Sequence, residues 1–178
     1  MKRLFVSLLA AASILAPSVK AQNEPDDHIE LWNALQEVGV TTFYNHRLHC
    51  DEGIDGKYYI HSAMLVVCQD NMTSHLVERN WTENDFDTLR HEAHHVVQDC
   101  AYGTLGDGIT GPIFDEDDLI SFLKASSWSQ DQLSQLFSNL KNIGLDSITI
   151  QEEMEAYVVA SDIPARDIKS KLIEFCSE

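Results

Sequence analysis

At 178 residues, with 29 acidic side chains against 12 basic ones and a formal net charge of −17, the chain is sized for one domain and repels phosphate. Nucleic acid is therefore excluded as the expected partner; the surplus acid favours solubility and, at low salt, cationic substrates. The longest apolar run, residues 4–16, is too short to span a bilayer comfortably, which argues against a membrane-embedded class.

That run belongs to a secretory pattern. Lys2 and Arg3 supply a basic start, Leu4 to Ala16 an apolar stretch, and Val19-Lys20-Ala21 a small-residue cleavage site. Residues 1–21 are thus expected to be a signal peptide, and 22–178 a single secreted or periplasmic domain with no stable membrane insertion. Its 157 residues carry 9 basic against 29 acidic side chains, a net charge of −20.

Asp26 and Asp27 open a short amphipathic helix with Ile29, Trp32, Leu35 and Val38 on its apolar stripe. Val40 to Tyr44 is β-branched and aromatic, so a strand. Asp55-Gly56 reads as a turn, and Lys57 to Cys68 as the strongest strand region of the chain. A strand just ahead of the next helix matters because an extended peptide can add to a sheet edge through main-chain hydrogen bonds.

Thr82-Glu83-Asn84-Asp85 has the form of a helix start, a capping hydroxyl with an acid three residues on, and Gly103 suits the stop. Phe86, Leu89, Ala93, Val96, Val97 and Cys100 share one stripe, the expected core face. From roughly the opposite side project His91 and His95, which with Glu92 spell H-E-x-x-H. Residues four apart share a helical face, so both imidazoles can reach one metal ion while Glu92 sits beside it, placed to take a proton from a bound water. A catalytic zinc needs a third protein ligand and an open position. His94 is turned away from His95, and His61, on the strand region, has no assigned role.

Tyr102 to Phe114 is a glycine-rich loop. Helices follow at Asp115 to Lys124, after Ser129 through Leu133, Leu136, Phe137 and Leu140, from Asp146 or Ser147 to about Ser161, and after Pro164. The elements together predict an α+β chain whose C-terminal half is mostly helical. Of the glutamates at 152, 153 and 155, Glu153 has the most apolar flank, beside Ala156, Tyr157 and Ala160. Coordinating a cation would relieve the cost of a carboxylate there, so Glu153 is the expected third ligand. Glu152 and Glu155 fall instead on an arc with Gln151.

His91-Glu92-x-x-His95 followed by Glu153-Met154-Glu155-Ala156 resembles the gluzincins, the thermolysin-like zinc peptidases, whose third ligand is a glutamate on a later helix. The resemblance covers the two motif helices and the strand-before-helix order. It implies a zincin-like fold with a small antiparallel or mixed sheet and an edge strand along the cleft. It also implies Zn2+ on His91, His95 and Glu153, Glu92 as general base, and a peptide or protein substrate. Where many gluzincins have an aspartate four residues after the ligand glutamate, this chain has Tyr157. The metzincin pattern fails, since Gln98 and Ala101 replace its glycine and third histidine. Gly103-Thr104-Leu105-Gly106-Asp107 faintly resembles the aspzincin motif, which makes Asp107 the rival third ligand.

The four cysteines, an even number behind a secretory signal, suggest two disulfides. Cys50 and Cys68 flank the expected hairpin and Cys100 and Cys176 each end a helix, so they are expected to pair in that way. The expected function is that of a secreted zinc metallopeptidase. The alternative is a non-catalytic secreted module braced by a structural zinc and the two disulfides.

Overall fold

The computed structural model describes residues 25–50 and 53–177, so the signal-like residues 1–21 lie outside the described part. Among the described residues the order is α1 (Pro25–Glu37), β1 (Thr41–Tyr44), β2 (Gly56–Tyr59), β3 (Met64–Val67), α2 (Glu83–Tyr102), α3 (Glu116–Ala125), α4 (Gln130–Asn142), α5 (Ser147–Asp162) and α6 (Ala165–Cys176). The class is α+β: six helices and a small mixed sheet of order β1-β3-β2, with β1 parallel and β2 antiparallel to β3.

Helix α2 is the spine. Its start is the reciprocal cap that the sequence suggests: the Asp85 N–H donates to Thr82 Oγ1 and the Thr82 N–H to Asp85 Oδ2. Gly103 closes it with an extended backbone, and the Asp107 carboxylate folds so tightly over Gly103 that a Cβ would collide with it. Leu89, Ala93, Val96 and Val97 are buried against Leu31 and Leu35 of α1, Leu65 and Val67 of β3, Val159 of α5 and Ile168 and Leu172 of α6. A smaller cluster of Leu140, Ile150 and Met154 joins α4 to α5.

Three sequence expectations change. The region from Lys57 to Cys68 is a hairpin of two strands, and Gly56 opens the first strand where a turn was expected. The reversal lies at residues 60–63, where Ala63 takes a positive φ of 45°. All of Leu65, Val66 and Val67 are buried because both faces of β3 are covered, Val66 facing the Cys50–Cys68 corner, so no alternation marks the strand's limits. In α1 the buried set is His28, Leu31, Ala34 and Leu35, while Ile29 is exposed. His28 takes the inner position because it bonds the buried Arg90 guanidinium at 2.6 Å and stacks on Phe86. In α4, Phe137 is exposed; Leu133, Leu136 and Leu140 carry the packing.

Cys50 is bonded to Cys68 and Cys100 to Cys176. Two disulfides suit an oxidising, extracellular-type environment. No helix among the described residues is long and apolar enough to cross a membrane.

Candidate metal centre

Helices α2 and α5 pack side by side, and the face between them carries the titratable groups. One turn apart on α2, His91 and His95 turn their Nε2 atoms towards each other, 3.1 Å apart. From α5, Glu153 reaches both: Oε2 lies 3.4 Å from His91 Nε2 and Oε1 3.6 Å from His95 Nε2. A tetrahedral ion bound at about 2.0–2.1 Å keeps neighbouring donors about 3.3–3.4 Å apart. The three gaps bracket that spacing, so the triad can close on one divalent cation. Among the described residues no other group of three such side chains converges this way.

Asp107 is not part of the cluster. Its carboxylate is committed to its own loop, accepting the N–H groups of Thr104 at 2.9 Å and Ile109 at 2.8 Å. His61 is exposed on the hairpin turn, against Gly108 of the same loop.

Burial works against the Glu153 charge, but the hydrogen bond from His91 and the charges of His95, His91 and Lys57 outweigh it and hold the carboxyl below its ordinary range. Glu92, the next residue after His91, has the opposite environment. It is 8% exposed, and burial pushes its carboxyl up to about 7. His95 pulls against that rise, Glu153 adds to it, and the Tyr58 N–H and Lys57 counter it more weakly.

The strand beside Glu92 is β2, the first of the two strands in the region expected from Lys57 to Cys68. β3, which directly precedes α2 in sequence, is the inner strand; β2 is an edge strand packed on α2. The Tyr58 N–H of β2 donates to Glu92 Oε2 at 2.6 Å. Gly56 allows this approach, since a Cβ there would meet Thr88 Cγ2 at 2.5 Å and the Val66 carbonyl at 2.9 Å. The Tyr58 hydroxyl donates to the fully buried Asp99 at 2.5 Å, and the same Asp99 oxygen accepts the Gly106 N–H at 3.0 Å. β2, α2 and the glycine-rich loop are thereby fixed to one another.

Tyr157 departs from its expected apolar face. It is 40% exposed, with its ring edge-on to His91 at 4.5 Å between centroids. Burial, followed by the charges of Glu153, Glu92 and Asp55, raises its phenol. Glu155 departs further. The sequence puts it on a polar arc, yet it is fully buried, taking the Ile113 N–H on both oxygens and facing His94 Nε2 at 3.1 Å. The sequence reading also passes over Gln98, whose Oε1 lies 2.8 Å from His95 Nδ1. The signal for it was present: a side chain three residues after a candidate ligand histidine lies on that histidine's face.

Compared with known protein families, with curated proteins and with solved structures, the chain has no match in any of the three.

Proposed function

We propose that the chain is a secreted zinc-dependent peptidase of zincin-like organisation. The observation that carries this reading is the convergence of His91, His95 and Glu153 at tetrahedral spacing, with the buried Glu92 next along the helix. Two imidazoles and one carboxylate are the donor set that catalytic zinc takes in hydrolases, with a fourth position left to solvent. Once bound, the ion supplies Lewis acidity towards a substrate carbonyl and a water that ionises near neutral pH.

The remaining roles fall to the protein. Glu92 is anchored through Oε2 to the Tyr58 N–H, which leaves Oε1 to receive a proton and return it to the leaving amine. β2 lies at the sheet edge beside this carboxylate. The two disulfides and the basic-then-apolar residues 1–21 support export.

The test compares zinc content and casein or peptide hydrolysis for wild type, Glu92→Gln, Glu153→Ala and Asp107→Ala. The peptidase reading expects hydrolysis by wild type that a chelator abolishes, zinc without turnover in Glu92→Gln, zinc lost in Glu153→Ala and kept in Asp107→Ala. Zinc bound tightly by wild type with no hydrolysis of any peptide would defeat the peptidase reading and leave the structural-zinc alternative or a zinc hydrolase acting on a non-peptide amide.

A further inference from the structure

A neutral imidazole has one N–H and one lone pair, and a metal ligand must present the lone pair to the ion. What decides this for His95 is the group at its other nitrogen. Resting on the metal-centre reading above, we infer that Gln98, held by Glu155 and the Glu152 carbonyl, is a positioning residue that locks His95 in its Nδ1–H form and so keeps the Nε2 lone pair on the metal side.

The orientation of the Gln98 amide settles the direction of the bond. Its Nε2 lies 3.2 Å from the main-chain oxygen of Glu152 and 3.4 Å from Glu155 Oε2. A main-chain carbonyl can only accept, so the NH2 end of the amide points to α5 and the carbonyl end to His95. Oε1, 2.8 Å from Nδ1, can only accept there, and the proton must therefore sit on Nδ1. Nε2 is left with its lone pair, facing His91 Nε2 at 3.1 Å and Glu153 Oε1 at 3.6 Å.

Burial gives the arrangement its force. Gln98 and Glu155 are both fully buried, so bulk water cannot replace either partner. Glu155 is in turn fixed by the Ile113 N–H and by His94 Nε2, which ties the orientation to the loop after α2 and to α2 itself. The alternative tautomer of His95 would set two lone pairs against each other at Nδ1 and aim a proton into the space between the three ligand atoms. His94, on this reading, acts only at the far end of the relay.

The test begins without metal. In the metal-free wild-type protein with 15N-labelled histidine, at about pH 8 where a free imidazole is neutral, His95 is expected to show a protonated Nδ1 and an unprotonated Nε2. A His95 protonated on Nε2 would overturn the inference whatever the variants do. Gln98→Met removes the acceptor at similar length; it is expected to release the tautomer preference and to weaken zinc binding roughly tenfold to a hundredfold, the usual cost of losing a ligand's outer partner. An unchanged tautomer and zinc affinity in Gln98→Met would contradict the assignment. Failure of wild type to take up zinc would defeat the metal reading, while the nitrogen resonances would still decide the tautomer.

Discussion

The two faces of α2 are built on different rules. On one, Leu89, Ala93, Val96 and Val97 disappear into an apolar core shared with α1, β3, α5 and α6. On the other, Glu92, Gln98 and Asp99 are also buried, and each has named partners: the Tyr58 N–H, the His95 ring and Glu152 carbonyl, and the Tyr58 hydroxyl with the Gly106 N–H. The apolar face stabilises through shape and area, where one residue's loss leaves a void of graded cost. The polar face carries groups whose burial is unfavourable without hydrogen-bond partners, and there Asp99 Oδ1 has none among the described residues.

The largest expected effect separates chemistry from structure. Glu92→Gln should lower peptide hydrolysis by roughly a hundredfold to ten-thousandfold, the range of a lost general base, while zinc content and fold stay intact. Leu89→Ala should do the reverse. It should destabilise by about 2–5 kcal/mol as a buried leucine truncation, yet leave zinc affinity of the folded protein unchanged, as chelator competition would show.

A subtler difference lies in pH dependence. The Glu92 carboxyl titrates at about 7 in the fold against 4.5 ordinarily, so the metal-free fold binds that proton more tightly than the unfolded chain does. Its contribution is fully present below about pH 4.5 and is lost as pH rises through about 7, by roughly 1–3 kcal/mol. Glu92→Gln removes that loss. Urea midpoints at about pH 5 and pH 8 should therefore converge in the variant relative to wild type. The smallest effect is expected from Tyr157→Phe, which keeps the ring against His91 and should change stability by less than about 0.5 kcal/mol.

The same contrast explains what was legible in the sequence. The cap at Thr82 and Asp85 and the spacing of His91 and His95 are local, set by the helical repeat, and both could be read directly. Glu153 was readable from its apolar neighbours and from the resemblance to gluzincins. Glu155 was not: α5 packs against α2, α3 and α4, so it has no single solvent face, and a helical wheel assigns Glu155 to a polar side that does not exist. The parallel pairing of β1 with β3 and the turn at residues 60–63 were equally hidden. One depends on contacts distant in sequence; the other is made by Ala63 rather than by a glycine or asparagine that would announce it. Asp107 resembled a ligand only until its bonds to Thr104 and Ile109 were known.

The most direct test of the central claim is anomalous scattering at the zinc edge from crystals grown with the metal. The account predicts one strong peak per chain, about 2.0–2.1 Å from His91 Nε2, His95 Nε2 and a Glu153 oxygen, and no such peak in Glu153→Ala. A peak elsewhere in the molecule, or His91, His95 and Glu153 turned apart in the presence of ample zinc, would contradict it.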